Sequence, residues 1–288
     1  MRKQIELLSQ CSKDVLDKIE ILISDNCSTD DTQQIVEEAI QGGFSCTYIR
    51  NEINLGMDGN FVSCFRKASG KYVWLLGDDD IIIPNALRKI VDFLEVNNDL
   101  GLVHIYRKKN KISTEEFVYF SNSEKFIKTI SYFTTYISSN IVNTKYVPQI
   151  NFEKYMGTWF TLMPLYIKAL LTEDKNCLVN FKVVEDAADL KRNGGYNYFQ
   201  IFITNYLSIW HEFLMDKMIT SNTYEFLKRD IFEDVISNQI YIILLKGEKG
   251  NYNTDKAWNI IISNYWSCFY FYKKFLRIMA SYIYHLKE

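Results

Sequence analysis

Proline is scarce in this chain, 3 residues in 288, and glycine supplies only 12. So few turn formers exclude collagen-like repeats, a Pro/Gly-rich disordered chain and a loop-rich secreted scaffold. Charge of one sign is lacking as well. Lys and Arg number 33 against 35 Asp and Glu, a formal net charge of −2, so no global field points to nucleic acid or to any strongly charged partner. The six cysteines, at positions 11, 27, 46, 64, 177 and 268, form no C-x-x-C pair and have no His at metal-ligand spacing. They read as reduced, mostly buried thiols of a cytosolic protein. No apolar run approaches the ~18 residues of a membrane span, and the opening Met1-Arg2-Lys3-Gln4-Ile5-Glu6 reaches charge too soon for a signal peptide. Aromatics, by contrast, abound: 20 Tyr and 19 Phe in a chain that is 48% hydrophobic, enough for one large core or two smaller ones.

From Glu20 to Leu102, short apolar runs alternate with amphipathic stretches, the pattern of βαβ units around a parallel sheet. The spacing predicts strands over Glu20–Ser24, Cys46–Arg50, Tyr72–Leu76 and Leu100–Tyr106. Tyr72-Val73-Trp74-Leu75-Leu76 reads as a strand buried on both faces. Helices are predicted over Gln33–Ala39 and Gly59–Ala68, with a third opened by Pro84 and carrying Leu87, Ile90, Val91 and Leu94. Ser28 and Asp31 have a spacing like that of a capping box for the first of them. Gln4–Leu16 reads as one helix, Lys108–Glu124 as a polar connection or extended hairpin, and the chain from Tyr155 onward as mainly helical.

Three loops carry candidate chemistry. Gly77-Asp78-Asp79-Asp80 places three carboxylates at the end of an apolar strand, the edge where open α/β sheets bind ligands. Adjacent aspartates repel one another. They either face water in a turn before a helix or are neutralised by a cation, and hard oxygen ligands suit Mg²⁺ or Mn²⁺ with a diphosphate. Ser24-Asp25-Asn26-Cys27-Ser28-Thr29-Asp30-Asp31 also joins strand to helix, and its short polar side chains suit either capping or a nucleoside edge. Arg50-Asn51-Glu52-Ile53-Asn54-Leu55-Gly56-Met57-Asp58-Gly59-Asn60 reads as a Gly-bearing turn or as a helix N-terminus facing a base or phosphate.

Taken in order, Ile-Ser-Asp-Asn-Cys-Ser-Thr-Asp-Asp-Thr, Arg-Asn-Glu-x-Asn-Leu-Gly and Ala-Ser-Gly-Lys-Tyr-Val-Trp-Leu-Leu-Gly-Asp-Asp-Asp resemble the family 2 glycosyltransferases of the GT-A fold. They are most similar to bacterial O-antigen sugar transferases of the abequosyltransferase type. The resemblance covers residues 4–106 and, more loosely, the segment up to Tyr136-Ile137-Ser138-Ser139-Asn140. It implies an α/β GT-A (Rossmann-like) nucleotide-sugar-binding domain over residues 1–150 and a mainly helical acceptor and membrane-proximal region over 151–288. It further implies a nucleotide-sugar donor, a divalent metal, transfer to an acceptor hydroxyl with inversion, and a lipid-linked saccharide acceptor. By the same resemblance Asp25 contacts the base, Asn54, Gly56 and Asn60 wall the nucleotide pocket, Asp78 binds the ribose, and Asp79 and Asp80 hold the metal and diphosphate.

Family members begin with an apolar strand ending in a Pro-Thr-Tyr-Asn type loop. Here the chain starts at the helix after it, so the first strand is expected to be missing through a late or truncated start. The general base has no assignment. Gly157-Thr158 matches a family pattern, but no His or acid follows closely, leaving Glu153, Glu185 and Asp186 as candidates, each with a surface charge as its alternative. His104 reads as a satisfied core residue, and neither His211 nor His285 shows nucleophile or metal spacing. Lys191-Arg192-Asn193-Gly194-Gly195 is a basic turn open to a phosphate or to solvent. Asn264–Lys287 interleaves aromatics with Lys273, Lys274, Arg277 and Lys287. A helix of that kind either packs on its domain or lies in a bilayer interface. The expected location is cytoplasmic, at the inner face of the cell membrane. The reading from another class is a catalytically impaired GT-A domain serving as a non-enzymatic partner in polysaccharide assembly. A nucleotidyltransferase is disfavoured because no Gly-rich, Lys/Arg-bearing phosphate loop opens the chain.

Overall fold

A computed structural model describes residues 1–106, 112–186 and 194–285. Contacts divide the chain into two compact units, one of residues 1–126 and 133–188, the other of 127–132 and 189–288.

The first unit opens with α1 (Arg2–Ser9) and α2 (Lys13–Leu16) in place of the single expected helix. Ser12 is extended and breaks the run, yet Ile5, Leu8 and Val15 still bury in one cluster. Then follow β1 (Leu22–Asp25), α3 (Thr32–Gln41), β2 (Thr47–Arg50), α4 (Gly56–Lys67), β3 (Tyr72–Trp74), β4 (Asp80–Ile82), α5 (Pro84–Val96) and β5 (Leu102–Ile105). The βα rhythm is as the sequence predicts. Pro84 sits in the first turn of α5, where its fixed φ suits the helix and its missing N–H costs nothing. Leu87, Ile90 and Val91 are buried along that helix.

The chain continues through β6 (Phe117–Phe120), α6 (Ser123–Ile130), β7 (Asn140–Asn143), α7 (Met163–Thr172), β8 (Asn176–Val179) and β9 (Val184–Asp186). Four-residue runs such as Asn176–Val179, buried at every position, carry no period that separates strand from helix, so β8 and β9 interrupt the mainly helical stretch expected beyond Tyr155.

The sheet is mixed, not parallel. Five strands lie in the order β3-β7-β5-β8-β6, with β5–β8 as its parallel pair. β1 and β2 form a separate parallel pair, and β4 and β9 an antiparallel one. β3 is the end strand of its sheet, so only Val73 is buried while Tyr72 and Trp74 are half-buried, against the expectation of burial on both faces. Two apolar clusters flank these strands. One joins α5 to β5, β7 and β8; the other joins α1, α2, β1, α3 and α5, and Trp74 packs on both. His104 is fully buried in β5, with its Nδ1 2.9 Å from Asn140 Oδ1. The expected boundary at residue 150 falls inside the first unit, because β8 and β9 return the chain to β5 and β4.

The second unit holds β10 (Gly194–Asn197) paired with β11 (Asn251–Asn253), and α8 (Tyr206–Met215), α9 (Ser221–Ile231), α10 (Ser237–Gln239), α11 (Ala257–Tyr265) and α12 (Phe269–His285). Its aromatics include a packed group of Phe232, Tyr265, Tyr270 and Phe271. Lys191, Arg192, Asn193 and Lys287 lie outside the described residues. Among the described residues no helix is long and apolar enough to cross a membrane, and all six cysteines are free thiols.

Candidate functional site

β1 alternates its side chains, so Ile23 and Asp25 both point inward. On β2 their register partners are Tyr48 and Arg50, two residues apart and on one face. Asp25 is 3% exposed. Its Oδ1 accepts the Ser28 N–H at 2.7 Å, its Oδ2 accepts the Tyr48 hydroxyl at 2.7 Å, and Arg50 Nε stands 3.3 Å from Oδ2. Burial by itself works against the charged carboxylate. The bonds from Ser28 and Tyr48 and the Arg50 guanidinium outweigh it and hold the Asp25 pKa below the usual carboxylate range. Burial and the bond to Asp25 push the Tyr48 hydroxyl upward. Asp25 thus organises the loop that follows it. That loop does not form the expected capping box: Ser28 donates its N–H to Asp25, and Asp30 Oδ1 accepts the Thr32 N–H at 3.0 Å at the start of α3.

The second loop is clasped to the first by asparagines. Asn26 Nδ2 donates to Asn54 Oδ1 at 2.8 Å and to the Gly56 carbonyl at 3.1 Å, while Asn26 Oδ1 accepts the Leu55 N–H at 2.8 Å. Asn54 Oδ1 also accepts the Gly56 N–H at 2.8 Å, and Gly56 takes φ +71°, a left-handed conformation that favours glycine. Asn60 Oδ1 accepts from Ser24 Oγ at 2.7 Å and from Asn51 Nδ2 at 3.0 Å. Asn51 donates its N–H to the Asp25 carbonyl at 2.9 Å, so the structure brings Asp25, Asn54, Gly56 and Asn60 into one hydrogen-bonded network, with the Asp25 carboxylate buried within it. Tyr48 belongs to it and lies outside the three candidate loops, whereas Asn26, Arg50 and Asn51 lie within them without a role of their own; the period-2 pairing of β2 with β1 was the available signal for Tyr48 and Arg50.

The acidic turn is built separately, beyond β3. The Gly77 carbonyl accepts the Asp80 N–H at 3.2 Å, closing a tight turn with Asp78 and Asp79 exposed. Ser138 holds it from outside, its Oγ accepting the Gly77 N–H at 3.0 Å and its carbonyl accepting Trp74 Nε1–H at 3.0 Å. A Cβ on Gly77 would lie 2.6 Å from Asp79 Oδ1 and 3.4 Å from Asp80 Oδ2. The two carboxylates therefore converge over the one residue that has no side chain. Among the described residues no group of three or more His, Cys, Asp or Glu side chains is arranged to hold a metal. Two converging carboxylates nevertheless fit a hard cation of the Mg²⁺ or Mn²⁺ type, which takes its other ligands from phosphate and water.

β4 leaves this turn and pairs with β9, setting Asp80 opposite Asp186 and Ile81 opposite Glu185. Glu185 is ion-paired to Lys182 at 2.8 Å, and Glu153 to Arg66 at 2.6 Å, both on the surface. Arg66 lies in the last turn of α4, at the far end of that helix from Gly56. Gly157 has φ +79° and donates its N–H to Asp58 Oδ2 at 2.7 Å. Asp58 is buried in the first turn of α4, so the Gly157-Thr158 segment is tied to the asparagine-clasped loop.

A family model described as Glycosyl transferase family 2 matches residues 3–154. The abequosyltransferase RfbV of Salmonella typhimurium is 29% identical over 183 residues, 57% of this chain and 54% of that protein; the chain thus spans about half the length of that relative. Among solved structures, S. aureus TarS residues 1–349 in complex with UDP-GlcNAc superposes with a TM-score of 0.58 at 16% identity, over 83% of this chain and 70% of that one. Mannosyltransferase PcManGT of Pyrobaculum calidifontis, in complex with GDP-Man and Mn²⁺, gives 0.55 at 12% identity, over 97% and 80%. These likenesses place the chain in the GT-A fold.

Proposed function

Because the chain belongs to glycosyl transferase family 2, we propose that it moves a sugar from a nucleotide-sugar donor to a hydroxyl of a lipid-linked saccharide acceptor, with inversion at the anomeric carbon. The setting is surface-polysaccharide synthesis at the inner face of the cell membrane, with peripheral contact through α12. One observation carries the reading: Asp79 and Asp80 converge over Gly77 in a turn that Ser138 pins in place.

Asp79 and Asp80 would hold Mg²⁺ or Mn²⁺ and, through it, the donor diphosphate. When bound, such an ion offsets the negative charge that builds on the departing nucleoside diphosphate. Asp78, exposed on the same turn, hydrogen-bonds the ribose. Asn54, Gly56 and Asn60 wall the nucleotide pocket, and Asp25 locks the loop beneath it. The acceptor oxygen attacks the anomeric carbon opposite the leaving diphosphate; the new C–O bond forms as the donor C–O bond breaks, and the hydroxyl proton passes to a base. Of the three candidate carboxylates, the strand register favours Asp186, whose backbone stands beside Asp80. Glu153 and Glu185 already serve surface ion pairs.

Titration of the purified protein with UDP-GlcNAc and GDP-mannose, with Mn²⁺ or with EDTA, tests the reading. Metal-dependent binding of one donor is expected, weakened at least about 100-fold in Asp79→Ala/Asp80→Ala. Asp186→Asn should keep donor binding while transfer falls by roughly 10²- to 10⁴-fold, the usual share of a general base. Donor binding that is indifferent to EDTA and to both aspartates would refute the proposal.

A further inference from the structure

The second unit contains a cavity of about 560 Å³ where α12 passes the end of α9. Its wall carries Arg229, Lys273, Lys274 and Arg277 beside Tyr270, with Glu233 as its carboxylate. Glu233 is already committed to Arg229 at 3.1 Å, and the Arg229 guanidinium also lies 5.7 Å from the Tyr270 ring centre. Among the described residues Lys273, Lys274 and Arg277 have no carboxylate partner. Three uncompensated cations around one concavity repel each other, and an anion relieves that repulsion.

The rest of α12 says where such an anion is met. At about 100° per residue the helix has three sectors. Phe271 and Ile278 are buried on one side. Roughly opposite, Phe269, Tyr272, Leu276 and Ile283 fall within an arc of about 60°, and they are exposed, Phe269 at 83% and Leu276 at 69%. Lys273, Arg277 and Lys274 occupy the sector between, about 40° to 140° from Phe269. A helix that only packed on its own domain would not leave a second apolar arc in water, and the flanking cations specify what covers it.

We propose that α12 seats this protein on an anionic bilayer, the exposed arc entering the boundary between headgroups and acyl chains while Arg229, Lys273, Lys274 and Arg277 hold a lipid phosphate in the cavity. This deepens, and rests on, the reading of a membrane-borne acceptor, and it assigns the contact to one phosphate site. Cations next to an anionic leaflet each strengthen binding severalfold, and salt screens them.

The test is sedimentation of the full chain with vesicles of phosphatidylcholine alone and of phosphatidylcholine with 30 mol% phosphatidylglycerol, at low and high NaCl. Salt-sensitive binding to the anionic vesicles and little to the neutral ones is expected. Lys273→Glu/Lys274→Glu/Arg277→Glu should weaken it roughly 100-fold, and the single change Leu276→Gln should weaken it as well without touching a charge. Both variants are checked by circular dichroism and by unchanged donor binding with Mn²⁺. Inorganic phosphate is titrated in parallel: tight phosphate binding without vesicle binding would make this a free-anion site and overturn the proposal, as would equal binding to both vesicle types. Vesicle binding by a protein that binds no nucleotide sugar would instead sink the transferase reading while leaving the phosphate site standing.

Discussion

Gly77→Ala separates the acidic turn's geometry from the stability of the fold. Gly77 has no positive φ, so alanine is tolerated by the backbone, and loss of glycine's unfolded-state freedom favours folding by about 0.4–1 kcal/mol. The new methyl group, however, lies 2.6 Å from Asp79 Oδ1, and ordinary contact begins near 3.4 Å. Asp79 must therefore retreat by about 0.8 Å, which a flexible side chain does cheaply. A cation with near-ideal octahedral geometry at ~2.0–2.1 Å does not follow it. Disturbing the support of a ligand by this much typically lowers metal affinity by about 10- to 100-fold. The assay pairs a urea melt with a Mn²⁺ titration of donor binding. The expected result is a midpoint unchanged or slightly raised, together with the weakened Mn²⁺ dependence. A variant that binds Mn²⁺ and donor as the wild type does would refute the convergence of Asp79 and Asp80 as the metal cradle.

Three further predictions concern the supports. Asp25→Asn keeps one acceptor oxygen for either the Ser28 N–H or the Tyr48 hydroxyl, turns the other into an NH₂ donor and removes the charge facing Arg50, and should cost roughly 1–3 kcal/mol with weaker donor binding. Because the folded pKa of Asp25 is depressed, its contribution is present above the unfolded value of ~3.9 and is lost as pH falls through the lower folded value; the acid branch of the stability profile should flatten in the variant, as read by urea midpoints at successive pH values. Ser138→Ala leaves the Gly77 N–H without its acceptor, and should cost about 1 kcal/mol while raising the donor KM more than it lowers thermal stability. Asp58→Ala frees the Gly157 N–H, and should lower transfer to the acceptor with donor binding nearly unchanged, measured by comparing acceptor and donor KM.

Much of the site was legible because its elements are local. Asp25, Asn54, Gly56, Asn60 and the Gly77–Asp80 turn each sit at a strand end or helix start, and apolar periodicity over a few residues locates those ends. The three-sector character of α12 is likewise a property of its own residues. Misreadings arose where periodicity has no reach. β8 and β9 are too short to show a period, and Ser28 has the spacing of a cap but gives its N–H to a buried carboxylate.

The sequence by itself thus determined which chemical groups this protein has and on which strand end, turn or helix face each one stands, since those follow from the repeat of a helix or strand over a handful of residues. Only the tertiary structure decided which groups meet. Ser138 reaches Gly77 across 61 positions, Gly157 reaches Asp58 across 99, and β9 brings Asp186 beside Asp80. The reason is physical: such partners are selected by the burial of distant apolar runs against one another, and a buried or turn-forming polar group then bonds to whatever that packing sets beside it.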